Sequence, residues 1–277
     1  MAVSRHEWIV LKLGGELLED RERMEGIARV IAQAPRAARL VVIHGGGREI
    51  DAALARAGLP KRQVDGLRIT DEATLAVVIE VLAGAVNTRF VAAINAAGRA
   101  AVGLTGADAS LAVVRRAEPH TGVDGAVTDL GAVGYPVGGG PMPLLEHLTA
   151  AGYVPVVASI ATDGQGTLYN VNADTLAAHV AGRLAAGTLV IAGATPGVLD
   201  AAGRTIPALD RESRRQLIAS GVASSGMIAK LRACEDALAH GAREVVLLDG
   251  RDPSTLAVLL AGGTADAPSS LTTRMVA

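Results

Sequence analysis

The feature that most limits what this chain can become is the regular exchange of short apolar runs with longer stretches of helical periodicity. "WIVLKL" (8–13) reads as a buried strand, rich in large aliphatic side chains. Met24, Ile27, Val30 and Ile31 then recur at helical spacing. "RLVVIH" (39–44) reads as a second strand, residues 71–97 as one or two helices, and "AAVGLT" (100–105) as a third strand. The exchange resumes with helix 142–152, strand "YVPVVASIA" (153–161), helix 172–187 and strand "TLVIAG" (188–193). After a polar stretch come helix 226–241, strand 243–250, helix 253–262 and the closing strand "LTTRMVA" (271–277). Such alternation predicts an α/β fold: a three-layer αβα sandwich with a mainly parallel central sheet. Only 111–140 breaks the pattern. There "AVVRRAE" and "GAVGYPV" alternate like hairpin strands, an antiparallel excursion from the main sheet.

Half of the 277 residues are hydrophobic, enough for a sizeable core in one domain or two lobes. A lobe boundary is expected near 160–170, although no Pro- or Ser-rich linker marks it. The net charge of -2 leaves no basic footprint for nucleic acid or an anionic membrane. Cys234 is the only cysteine, so no intramolecular disulfide is possible, and a reducing cytoplasm is the expected location. It shares an apolar stripe with Ile228, Leu231 and Leu238 and reads as core. "MAVSRHEW" lacks the layout of a signal peptide. No apolar stretch reaches the ~18 residues of a membrane span without Gly or charge.

Within this framework a few stretches carry chemistry. In "IVLKLGGELL" (9–18), Lys12 sits inside an apolar run with Gly14 and Gly15 just beyond. Its ammonium either snorkels to water or faces an anion at the strand end, where open α/β sheets bind ligands. "HGGG" (44–47) places Gly45 and Gly46 between a strand and a helix, a tight turn or a set of N–H donors for an anion. Neither G-x-G-x-x-G nor a P-loop is present. In "NVNAD" (170–174), Asn172 suits a helix cap and Asp174 its first turn, and Asn170 adds a third polar group at the same mouth. "SSGMIAK" (224–230) puts Lys230 near a helix start, the wrong end for a cation unless an anion binds there. Ser224, Ser225 and Gly226 offer that anion hydroxyls and N–H groups. Arg68 in "GLRITD" (66–71) is a surface arginine or a two-point grip for a carboxylate. No histidines, His44, His120 and His147 included, stand at metal-ligand spacing, and there is no G-x-S-x-G elbow.

Each signal is weak alone. In this order, "KLGG", "HGGG", "GLRITD", "NVNAD" and "GMIAK" resemble the amino acid kinase family over nearly the whole chain. Within the family the motifs are most similar to the acetylglutamate kinases. The resemblance implies the amino acid kinase fold and transfer of phosphate from ATP, with Mg2+ held mainly through ATP, to the side-chain carboxylate of N-acetyl-L-glutamate in arginine biosynthesis. It implies that Lys12 and Lys230 hold the transferring phosphoryl group and Asp174 orients both. Gly14, Gly15, Gly45 and Gly46 give N–H groups to phosphate and substrate. Arg68 and Asn170 hold the α-carboxylate, and Ser225, Gly226 and Met227 belong to the nucleotide side. The excursion helps form a lid over the acyl amino acid. Residues to about 165 bind the acyl amino acid and dimerise; those from about 166 bind nucleotide. No protein-borne metal ligand is implied.

The chain departs from the family at "AGATPGVLD", where Gly193 and Ala194 replace the usual Ser/Thr-Asp, and more mildly at "SSGM". An aminoadipate-type, carrier-linked substrate of lysine biosynthesis and a catalytically weak ligand-binding paralogue stay open as alternatives. Arginine-sensitive members of the family it resembles carry an additional N-terminal helix that interlaces dimers into a ring; only "MAVSRHEW" precedes the first strand residues here, so the resemblance implies a homodimer without arginine inhibition. Leu75, Val78, Ile79 and Leu82 form a periodic stripe that faces either the partner or the chain's own sheet.

Overall fold

A computed structural model describes residues 7–122, 125–219, 225–262 and 272–276. Eight strands make the central sheet: β1 (Trp8–Leu13), β2 (Arg39–His44), β3 (Ala101–Thr105), β4 (Val154–Ala158), β5 (Thr188–Gly193), β6 (Ala208–Leu209), β7 (Glu244–Asp249) and β8 (Thr272–Val276). They lie in the order β6-β8-β7-β5-β1-β2-β4-β3. Every pairing is parallel except β7 with β8. The chain leaves β1 toward β2 and later returns on its other side as β5. That reversal opens a crevice at the carboxyl ends of β1, β2 and β5, the usual ligand position in such sheets.

Strand periodicity divides the core into two layers. The helices are α1 (Arg21–Gln33), α2 (Gly47–Arg56), α3 (Glu72–Ile79), α4 (Asn87–Ala96), α5 (Pro143–Ala150), α6 (Ala173–Arg183), α7 (Arg211–Ala219), α8 (Ser225–Ala239) and α9 (Pro253–Leu260). On one face Val10, Val41, Ile43 and Ile191 pack with Leu145 of α5, Leu176 and Val180 of α6, and Leu231 and Cys234 of α8. On the other, Leu11, Leu13, Val42 and Val190 meet Ile27 and Ile31 of α1, Leu54 of α2, Phe90 of α4 and Leu256 of α9. Cys234 is core as expected, and burial pushes its thiol up to about 12.

Residues Glu72–Ala96 are continuously helical, with a wider π-helical turn at Glu80–Val86 between α3 and α4. By length and composition this run could cross a membrane. Here Val78, Leu82, Val86, Phe90 and Ile94 are buried against the sheet, the packing of a core helix. Val78 and Leu82 of the periodic stripe therefore serve the chain's own core and are not free to face a partner.

The excursion is antiparallel as expected: Val114–Arg116 pairs with Gly134–Pro136, and His120–Thr121 with Val127–Thr128. Ala117, Leu130 and Val133 pack there against Val64, Leu67 and Ile69, a small satellite core. Two elements depart from the sequence reading. "YVPVVASIA" is split between β4 and a ribbon in which Ile160–Thr162 pairs with Leu168–Asn170. The polar stretch after β5 contains β6 and α7. Helix α7 escapes the hydrophobic pattern because an arginine takes an inward position: Arg214 is buried and donates to the Leu209 and Val276 carbonyls.

Candidate active site

Lys12 lies level with Ile43 of β2 and Ile191 of β5, one residue before β1 ends. Alternation puts it on the same face as Trp8 and Val10, the face covered by α6 and α8. Both helices aim their N-terminal turns at this point. Asn172 caps α6, accepting from the Asp174 and Thr175 N–H groups, and so fixes Asp174 in the first turn. Lys230 sits in the second turn of α8. The three side chains converge: Lys12 Nζ is 2.8 Å from Asp174 Oδ1, and Lys230 Nζ donates to Oδ2 at 3.2 Å. They are 9%, 13% and 17% exposed for Lys12, Asp174 and Lys230, enough for a ligand to touch and too little for water to screen them.

Burial opposes ionisation of Asp174, but the two ammonium groups outweigh it and hold the carboxyl well below the usual carboxylate range. Burial lowers Lys12, with Lys230 adding repulsion, and Asp174 only partly offsets this. Burial also opposes the charge on Lys230, yet Asp174 prevails and leaves it raised. One carboxylate thus keeps two cations together. The trio carries a net positive charge, and it waits at a strand end.

Glycine turns from β1 and β2 lie alongside. A Cβ on Gly15 would strike the Gly46 backbone, one on Gly46 would strike Leu82, and Gly45 rests against Ala173 at the start of α6. At Gly15 close backbone approach, rather than an unusual dihedral, demands glycine. Gly14 donates its N–H to Ala192 O, and Gly45 reaches Leu13 O at 3.4 Å. These two amides brace the strand ends. Gly15 and Gly46 stand at the mouths of a 3-10 turn and of α2, where first N–H groups have no intrahelical acceptor. His44, which motif reasoning passed over, holds the second turn. Its Nδ1 bonds the Gly45 carbonyl, and its Nε2 meets the Asn87 amide at 3.0 Å. Burial lowers its pKa to about 4, so it is a neutral brace.

Arg68 and Asn170 are brought together by interwoven short strands. Thr70 N donates to Leu130 O, Ala132 N to Thr70 O, and Asn170 N to Ala132 O. Asn170 Nδ2 donates to Thr70 Oγ1, which itself donates to Arg68 O. Arg68 is buried, pairs with Asp51 and donates to Gly47 O, while its Nη1 is buried without a partner. An unpartnered guanidinium N–H behind the second glycine turn suits a carboxylate ligand. Thr70 and Asp51, like His44, are residues sequence reasoning missed. Asp51 carries no signal beyond a carboxylate on α2, and Thr70 lies inside "GLRITD" but is uncharged.

Gly226 and Met227 lie in the first turn of α8, and Met227 packs on the core beside α6. Ser224 and the Ser225 side chain lie outside the described residues. Gly193 ends β5 and Ala194 follows it, beside the β1 turn. Among the described residues no group of His, Cys, Asp and Glu is arranged to hold a metal ion.

Comparison with known proteins agrees with this architecture. The model of the amino acid kinase family matches residues 7–249. The acetylglutamate kinase of Solibacter usitatus is 41% identical over 255 residues, covering 92% of this chain and 95% of that protein. That of Gluconacetobacter diazotrophicus is 42% identical over 250 residues, covering 88% and 79%. In fold, the chain is similar to N-acetylglutamate synthase from Neisseria gonorrhoeae complexed with coenzyme A and N-acetyl-glutamate. The TM-score is 0.79 at 24% identity, over 98% of this chain and 59% of that one. Giardia carbamate kinase gives a TM-score of 0.68 at 14% identity over 99% of both chains. With its sheet order, its lysine pair and a family match over most of its length, this chain belongs to the amino acid kinase family.

Proposed function

We propose that this chain is an ATP-dependent kinase of N-acetyl-L-glutamate, forming N-acetyl-L-glutamyl 5-phosphate and ADP in arginine biosynthesis. The observation that carries this reading is the pair of cations held around one carboxylate, with Lys12 at 2.8 Å and Lys230 at 3.2 Å from Asp174. Relatives at about 41% identity carry the name acetylglutamate kinase, which supports the choice of substrate.

The acceptor carboxylate has an unperturbed pKa near 4.3 and is ionised at neutral pH, so it needs no general base. What obstructs the reaction is charge, since a carboxylate must approach a triphosphate. Its oxygen attacks the γ-phosphorus in line, the bond to the β-bridging oxygen breaks, and ADP leaves with that electron pair. Phosphoryl transfer of this kind is catalysed by positioning and charge stabilisation. Lys12 and Lys230 stabilise the transferring oxygens, Asp174 keeps both ammonium groups aimed, and Gly15 and Gly46 add main-chain donors. Arg68 Nη1 and Asn170 bind the α-carboxylate, and the excursion at 111–140 closes over the acyl group. Gly226 and Met227 line the nucleotide side. Residues to about 165 serve the acyl amino acid, and those beyond serve ATP. Asp174 is committed to the lysines, so a magnesium ion accompanying ATP would be held mainly by the nucleotide and would supply further charge stabilisation.

We also infer a cytoplasmic homodimer. Ala73, Ala76, Gly84, Ala85, Thr88 and Ala92 expose a small-residue face along Glu72–Ala96, beside the sheet's edge strand β3. An edge strand offers unpaired main-chain groups to a second copy.

Trapping the acyl phosphate with hydroxylamine tests the reaction. With ATP, N-acetylglutamate should give hydroxamate, while glutamate, N-acetylaminoadipate and carbamate give little. A stronger signal from N-acetylaminoadipate, or none from any acceptor, overturns the assignment.

A further inference from the structure

A second carboxylate lies near the lysine pair, at the turn that follows β1. Glu16 belongs to the 3-10 turn that follows Gly14. Its Oε1 accepts the Ala194 N–H at 3.1 Å, at the end of β5. The carboxylate lies so closely over the β1 turn that a Cβ on Gly14 would collide with it, and a Cβ on Gly193 would come within 3.4 Å. Gly193 and Ala194 bring no polar side chain of their own, and Glu16 places a carboxylate at the junction of the β1 and β5 turns. It is close enough to both Lys12 and Lys230 to favour their charged forms.

This is an awkward place for an anion in a site meant to take a triphosphate. Lys12, Lys230 and Asp174 together leave one net positive charge, and Glu16 cancels it. A carboxylate oxygen on a main-chain N–H at a strand end also makes the bond that a phosphate oxygen makes at such ends. Glu16 is partly exposed and its side chain has three rotatable bonds, so it can turn aside without moving the strands.

We propose that Glu16 is a built-in competitor for the nucleotide's phosphates: its carboxylate contends with them for the Ala194 N–H and for the field of the two lysines. The inference rests on the reading that these lysines receive the phosphates of ATP. Its consequence is a nucleotide site set weaker than its cations alone would make it. Glu16 then determines nucleotide affinity, and it acts on the phosphates alone, not on the base or sugar.

The test is Glu16→Gln, which keeps the length and an accepting oxygen and removes only the charge. Calorimetric titration of the full-length protein with MgATP should show a dissociation constant lowered about fivefold, the most that one partly exposed charge contributes. The gain should shrink as salt is raised, and adenosine should bind both forms equally. An unchanged or weaker MgATP affinity in Glu16→Gln overturns the inference, as does an equal gain for adenosine, which would mean a rearranged loop. If the wild-type protein bound no MgATP, the functional reading would fail and this inference with it. If it bound MgATP without tightening in Glu16→Gln, only the inference would fail.

Discussion

Lys12 stands out in the sequence because a charge inside an apolar strand needs a reason. Its reason is Asp174, 2.8 Å away and more than 160 residues later. Removing either lysine takes away a preorganised donor to charge that develops in the transition state. Lys12→Ala and Lys230→Ala should each lower kcat by ~10²-fold or more, with little change in KM for N-acetylglutamate. Near-normal turnover in either would remove that lysine from the chemistry. Arg68 should behave in the opposite way. Lysine keeps its charge and loses the fork, so Arg68→Lys should raise KM for N-acetylglutamate and leave KM for ATP nearly unchanged. An equal loss for both substrates would put Arg68 elsewhere. Asp174 also ties stability to pH. Its folded pKa is depressed, so its contribution is complete above its unfolded value of about 3.9 and is lost as pH falls through that value toward the folded one. Between pH 5 and about 3, the melting temperature of the wild type should therefore fall more steeply than that of Asp174→Asn. Parallel curves would mean that the ion pairs contribute nothing to folding. Charged residues in unexpected places were readable from the sequence. Asp51, Thr70 and His44 were not, because a carboxylate on a helix, a threonine in a loop and a histidine at a strand end are each ordinary until their partners Arg68, Asn170 and Asn87 are known.

Elements rather than contacts deliver the trio to one point. β1 supplies the alternation that turns Lys12 toward α6, and the Asn172 cap sets where α6 begins. The Asn172 Oδ1 accepts two N–H groups, one of them Asp174's own. Asn172→Ala should cost about 1 kcal/mol in urea unfolding and lower kcat as Asp174 loses its anchor, while Asn172→Ser should restore most of both. A stability loss with kcat untouched would mean that Asp174 is held by the lysines alone. Strand and helix order could be read because each buried face repeats at its own period. It failed where a polar residue took a buried position, as Arg214 does in α7, and where one apolar run turned a corner, as at Ser159 between β4 and Ile160–Thr162. It also left the stripe on Glu72–Ala96 undecided, because periodicity gives a face and not what the face meets.

At the scale of the whole molecule, the sheet order places β1 between the two halves of the chain, so a site at its end draws α6 and α8 from one half and the turns of β1 and β2 from the other. The far edge of the same sheet is β3, whose outer side pairs with no strand among the described residues. Beside it, α4 exposes Thr88, Ala92, Asn95 and Ala96, small enough for a second helix to approach closely. An unpaired edge of this kind invites pairing, and a protein that does not pair it blunts it with charge or proline. β3, "AVGLT", carries neither. Light scattering should accordingly report twice the chain mass at micromolar concentration. Ala92→Arg should halve that mass, because a buried, unpaired guanidinium at a close helix contact cannot be tolerated. The expected dimer leaves the lysine site at the carboxyl ends of β1 and β5, with three strands between it and either edge, so the separated Ala92→Arg monomer should retain MgATP binding. A wild-type monomer, or a dimer indifferent to Ala92→Arg, would place the contact on another face or remove it.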